Sequence, residues 1–140
     1  VFMTNNVNYG IFLDDERIPS DVYWMDIEIY PNSGDFSNWI IVRNKEDFMS
    51  TIKDLYNKGI PEDYIYLSFD HDLALWDKDG NEINGKSVVK EYINFLMDNE
   101  PNYKLPPAVN ITYHTQNPEG KVSMESYIEN YRKSLNNKEN

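Results

Sequence analysis

The stretch YLSFDHDLAL, residues 66–75, decides how the rest of the chain is read. An apolar run reaches Phe69, three ionisable side chains follow at Asp70, His71 and Asp72, and the chain turns apolar again at Leu73. Residues 64–69 have the aromatic and aliphatic make-up of a buried strand. Two carboxylates and an imidazole therefore stand at a strand's carboxyl end, and the question is whether other strands end in the same way.

Three further short runs read as strands: Ile11–Leu13 in YGIFLDDERIP, Trp39–Val42 in NWIIVRN and Val109–Tyr113 in AVNITYH. Helical patterns separate them. Asn44 reads as an N-cap with Asp47 at the third helical position. Phe48, Ile52, Leu55 and Tyr56 follow at helical spacing, and Gly59-Ile60-Pro61 stops the helix. A second helix starts near Asn84–Gly85, with Val88, Val89, Tyr92, Ile93 and Leu96 as its apolar stripe. A third follows Asn117–Pro118, a cap residue and then proline at the first helical position; its expected buried face is Met124, Tyr127, Ile128, Tyr131 and Leu135. Strands alternating with helices predict right-handed crossovers and an α/β fold, a small parallel sheet with helices on both faces in three layers. Residues 1–135 are expected to form a single domain and 136–140 a disordered tail. The segment between the first two strands alternates over Val22–Tyr30 and carries turn residues from Pro31 to Asp35, as a hairpin or a flap would.

The 140 residues suffice for one core. A net charge of -11 argues against an extended nucleic acid as partner, because phosphate backbones need a basic face. It leaves room for a small anion held through a cation. The absence of cysteine excludes disulfides, thiolate zinc sites and thiol nucleophiles. No apolar stretch is long enough to span a bilayer, so a soluble, cytoplasmic protein is expected, with its oligomeric state left open.

In parallel α/β sheets ligands bind beyond the carboxyl ends of the strands. Asp14–Asp15, Asp70 with Asp72, and His114 all fall there. Carboxylates that converge repel one another, and a hard cation such as Mg²⁺ or Mn²⁺ relieves the repulsion while keeping positions for a phosphate. Asp14, Asp15, Asp70 and Asp72 are thus candidate metal ligands. The plainer alternative is that these aspartates only cap turns. His71 and His114, the only histidines, are candidates for proton transfer, with a hydrogen-bonded structural role as the alternative for each. HTQNPEG, residues 114–120, leads into the third helix, whose free N–H groups suit an anion; Thr115 and Asn117 would add hydrogen bonds. GNEINGKS, residues 80–87, fits the spelling of a phosphate-cradling loop, but no strand directly precedes its first glycine, so that reading is set aside. Lys86 remains a candidate phosphate contact. Trp24 and Trp76 are candidates for stacking on a base, with a core or rim position as the plainer reading of each.

The set IFLDDERIP, WIIVR, YLSFDHDL and YHTQNPEG, with a methionine beyond it, resembles the cyclic-phosphate processing receiver domain, a receiver-like family of bacteria and phages. The resemblance covers about Tyr9 to Tyr131. It implies a flavodoxin-like receiver fold and action on cyclic phosphates, including nucleotide signals of antiviral defence. The family's acidic pair falls on Asp14–Asp15, with Glu16 and Arg17 completing the motif. Its strand-three aspartates fall on Asp70 and Asp72, and its late histidine on His114. The Thr-Gly that often precedes the second helix is Asn84–Gly85 here. Ordinary response-regulator receivers add a lysine after the last strand, where this chain has YHTQNP.

Three functions follow as expectations. The first is metal-dependent hydrolysis of a cyclic phosphate, with Asp14, Asp15 and Asp70 on Mg²⁺ or Mn²⁺ and with His114 or His71 supplying the proton. The second is a non-catalytic module that binds a nucleotide or a protein in the same pocket. The third is a phosphoacceptor at Asp70. All three require Asp14 and Asp70 to meet in space.

Overall fold

The computed structural model describes residues 7–22 and 39–139. Four strands form a parallel sheet: β1 (Tyr9–Leu13), β2 (Trp39–Val42), β3 (Ile65–Phe69) and, after a short hairpin of β4 (Leu75–Trp76) and β5 (Glu82–Ile83), β6 (Ile111–Tyr113). Their order across the sheet is β2-β1-β3-β6. Gly10 lies beside both Trp39 and Tyr66, and Leu67 beside Ile111, which fixes the register. Parallel pairing demands a crossover each time, and the helices α1 (Lys45–Asn57) and α2 (Gly85–Asp98) lie within two of them, while α3 (Pro118–Glu139) follows β6. The architecture is that of a flavodoxin-like receiver.

Alternate residues of each strand face opposite sides of the sheet. Ile11, Leu13, Leu67, Phe69 and Tyr113 face one side and are buried there by Phe48 and Ile52 of α1, Tyr92 and Leu96 of α2, and Met124 and Ile128 of α3. Phe48 meets Phe69 and Tyr92 at ring-centroid distances of 5.5 and 5.7 Å, the latter edge-to-face. On the other side Phe12, Trp39 and Val22 form a smaller cluster with Tyr66. The flap or hairpin expected after β1 falls, apart from Val22, outside the described residues. Trp24 lies outside them as well; among the described residues the three α-helices pack on the first side.

The helix starts match the sequence reading. Asn44 Oδ1 accepts the Asp47 N–H at 2.8 Å. Asn84 Oδ1 accepts the Ser87 N–H at 3.1 Å while Ser87 Oγ receives the Asn84 N–H. Asn117 Oδ1 accepts the Gly120 N–H at 3.0 Å. Each removes one of the donors a helix start leaves without an internal partner. Gly59 ends α1 at φ 80°, a conformation glycine takes freely.

The elements differ from expectation in places, and β1 starts at Tyr9, two residues before the expected Ile11. Tyr64 and Val109 belong to short 3-10 turns, Glu62–Tyr64 and Ala108–Asn110, rather than to strands. Each turn follows a proline whose carbonyl accepts its closing bond, Tyr64 N–H to Pro61 and Asn110 N–H to Pro107. The β4–β5 hairpin was not foreseen; Asp79–Gly80 turns it, and Asp77 Oδ1 holds the turn by accepting the N–H groups of Asp79 and Asn81. Helix α3 runs to Glu139, past the residue 136 at which a tail was expected to begin. Among the described residues, no helix is long and apolar enough to cross a membrane.

Gly85 opens α2 where there is no room for a side chain. A Cβ there would strike the Asp70 carbonyl oxygen and come within 2.7 Å of Met124 Sδ and 2.9 Å of His71 Cα. Its own N–H donates to the His71 carbonyl at 2.7 Å. Gly85→Ala is therefore expected to cost about 1–3 kcal/mol through overpacking, read as a lower midpoint in denaturant at unchanged slope. An unchanged midpoint would show that this junction gives way freely.

Candidate functional site

The sheet ladder continues one residue beyond three of its strands. The Asp14 N–H donates to the Val42 carbonyl at 3.1 Å, the Asp70 N–H to Leu13 at 3.0 Å and the His114 N–H to Phe69 at 3.0 Å. Asp14, Asp70 and His114 thus stand side by side at the carboxyl edge, and the alternation of the strands turns all three to the Phe12 side. They are 1%, 5% and 0% exposed. One side-chain ligand atom from each lies within 4.8 Å of the others.

Asp14 is the most tightly held. Its Oδ1 accepts the N–H groups of Glu16 and Arg17, each at 2.8 Å. Its Oδ2 lies 3.0 Å from His114 Nε2 and 3.8 Å from the Arg17 guanidinium. Arg43, just beyond β2, ties down the loop by donating to the carbonyls of Asp14 and Arg17 at 3.2 and 2.7 Å. Burial alone would raise the Asp14 pKa, but the bonds from His114 and from the Arg17 and Glu16 N–H groups prevail and lower it to about 2. Asp70 goes the other way: burial first, and then the charge of Asp14, raise its pKa, against the His71 N–H and the Thr115 hydroxyl. Burial also raises Asp15. Two carboxylate charges within 4.8 Å of each other repel by at least about 3.5 kcal/mol at an effective dielectric of about 20. A proton on Asp70, or a cation between the two groups, removes that cost.

These residues open on a cleft of about 410 Å³. Asp14, Asp15, Glu16, Asp70 and Asp72 line it opposite a single guanidinium, that of Arg17, with Thr115, Gln116 and Asn117 along the approach to α3. The wall offers carboxylate oxygens and no thiolate, and the buried group of Asp14, Asp70 and His114 could hold a metal ion. His114 lies close enough to both carboxylates to be a ligand, yet its Nε2 is engaged by Asp14 and its Nδ1 by Ser68 Oγ at 2.8 Å. We therefore place it behind Asp14, as the group that orients the carboxylate rather than one that faces the cleft.

The remaining candidates separate. Asp72 is on the rim, where it accepts from His71 Nδ1 at 2.8 Å and from Asn117 Nδ2 at 3.4 Å. His71 does not line the cleft. Its ring packs on Gly120, where an added Cβ would lie 2.8 Å from its Cβ and Cδ2. Thr115 and Arg17 reach the cleft, and Asn117 both lines it and caps α3. Lys86, in the first turn of α2, is not among the lining residues. Sequence reasoning missed Arg43, Ser68 and Gln116. Arg43 carried a signal, an arginine directly after a strand, whereas Ser68 is a lone hydroxyl inside an apolar run.

A parallel β2-β1-β3-β6 sheet with an acidic pair after its first strand and an aspartate after its third defines a receiver-like α/β protein. The sequence model of one family, the cyclic-phosphate processing receiver domain, matches residues 9–130, and the chain belongs to that family. No curated protein and no solved structure matches it.

The sign of the Asp70 contribution is testable. A carboxyl whose pKa is higher in the folded chain favours folding below its ordinary value near 3.9 and loses that advantage as pH rises through the folded value. At neutral pH the metal-free protein therefore carries the cost of a buried charge, and Asp70→Asn is expected to raise its melting temperature. Adding Mg²⁺ should stabilise the wild type as ligand binding does and leave Asp70→Asn nearly unmoved. The opposite order of melting temperatures without metal would contradict the site's electrostatics.

Proposed function

We propose that this chain is a metal-dependent hydrolase of a cyclic phosphate, with a cyclic nucleotide signal as substrate. The observation that carries the reading is the meeting of Asp14 and Asp70, buried and adjacent, on the wall of an acidic cleft at the strand ends. Membership of a family described as cyclic-phosphate processing supports it. A wall of this charge repels a phosphate, so anion binding there needs a cation. A bound divalent ion would neutralise the phosphoryl oxygens and lower the pKa of a coordinated water.

The chain's own residues supply position. Asp14 is fixed in one orientation by three hydrogen bonds, so little of its freedom remains to be lost when a ligand arrives. Arg17 offers its guanidinium fork at the mouth of the cleft, a shape that suits phosphoryl oxygens. The first turn of α3 presents its N-terminal end beside Thr115 and Asn117. Because neither imidazole lines the cleft, the proton needed by the leaving alkoxide comes, in this reading, from a group or water inside it. That neither histidine lines the cleft also favours a second reading, a module that binds the same ligand without cutting it.

Incubation of the protein with Mg²⁺ or Mn²⁺ and a panel of cyclic mono-, di- and trinucleotides and 2′,3′-cyclic ends separates the two. Hydrolysis of at least one member is expected, abolished by Asp14→Asn. Tight binding in calorimetry with the ligand recovered intact would replace the enzyme by the binding module. Neither turnover nor binding across the panel would refute both.

A further inference from the structure

We propose that Ser68 and Thr112 are positioning residues: they hold the His114 imidazole in the tautomer whose Nε2 carries the proton, and through it they fix Asp14 at the wall of the cleft. Thr112 Oγ1 donates to Ser68 Oγ at 3.0 Å, Ser68 Oγ lies 2.8 Å from His114 Nδ1, and His114 Nε2 lies 3.0 Å from Asp14 Oδ2. Ser68 is 3% exposed. With Thr112 donating to it, Ser68 has one proton of its own, and His114 Nδ1 is the acceptor that takes it. The chain then runs in a single direction, Thr112 to Ser68 to His114 to Asp14, with one proton in each link. Thr112 Oγ1 has a second acceptor, the Leu67 carbonyl, but at 3.5 Å it is the longer of the two. With the Thr112 proton on Ser68, the reverse direction, Nδ1–H to Ser68, would make the serine accept twice and take this acceptor from its own buried proton, an arrangement that costs free energy. A neutral imidazole has one donor and one acceptor nitrogen, so a donor at Ser68 forces the donor onto Asp14.

Packing fixes the remaining freedom of the ring. Phe12 stacks on it with centroids 4.1 Å apart and planes 7° from parallel. Serine, histidine and aspartate are the groups of a hydrolytic triad, but here the serine is the buried end and the aspartate the end at the cleft. The serine is no nucleophile; the proton order points at the carboxylate. Groups behind a metal ligand orient it in this way, and their loss typically weakens metal binding by about 10–100-fold.

The test uses the full chain, ¹⁵N-labelled and free of metal. With only two histidines present, His71→Gln leaves one imidazole to observe. We expect a pyridine-type Nδ1 and a pyrrole-type Nε2 for His114 in long-range ¹H–¹⁵N spectra. Ser68→Ala should lose that pattern to a mixture of tautomers, Ser68→Thr should keep it, and Thr112→Val should weaken it, which also covers the case in which Ser68→Ala does not fold. A serine with a merely structural role would lower the melting temperature and leave the tautomer unchanged. A protonated Nδ1 in the wild type, or an unchanged pattern in both Ser68→Ala and Thr112→Val, would overturn the proposal. The second readout, Mn²⁺ affinity, rests on the cleft being a cation site: Ser68→Ala should weaken it about tenfold and Ser68→Thr should not. A wild type without Mn²⁺ affinity would defeat the metal reading of the cleft, while the tautomer would still decide this inference.

Discussion

The carboxylate of Asp14 is the fixed point around which the strand-end edge is arranged. It is an anion almost wholly withdrawn from water, and it stays ionised because His114 and two backbone N–H groups replace its hydration. One strand over, Asp70 has fewer donors and feels the Asp14 charge, so its environment pushes in the opposite direction. Two carboxylates with opposed shifts in one cleft are a common mark of a working site. A structural cap has no need of such opposition.

The sheet makes this meeting unavoidable. Strands β1, β3 and β6 are neighbours, and the ladder carries on by one residue past each. Residues distant along the chain therefore share an edge and a face. Gly85 closes the arrangement from behind, since its missing side chain lets α2 press against the Asp70 and His71 backbone. Gly120 does the same for the His71 ring at the start of α3. Both helices thus approach the end of β3 closely at a glycine, while the polar groups of the cleft hold one another.

Asp14, Asp70 and His114 were legible in the sequence because each interrupts an apolar run, and a strand that stops at an ionisable residue has few reasons to do so. The cap residues Asn44, Asn84 and Asn117 were legible for a similar reason, as short polar side chains placed before apolar stripes. The direction of each imidazole was not legible. His71 and His114 both follow strands, yet one leans on Gly120 at the rim and the other lies behind Asp14, and only the packed neighbours decide which. Ser68 and Thr112 left no trace either, because one hydroxyl in an apolar strand reads as tolerated polarity until the adjacent strand supplies its partner. The β4–β5 hairpin was hidden by strands too short to show alternation, although its Asp-Gly turn was in plain view.

The central claim is that Asp14 and Asp70 share one divalent ion. A crystal soaked in Mn²⁺ and measured at the manganese absorption edge tests it most directly. The account predicts an anomalous peak at about 2.0–2.6 Å from carboxylate oxygens of both residues, with His114 Nε2 still on Asp14. A cleft without such a peak, or manganese bound only elsewhere on the molecule, would contradict it.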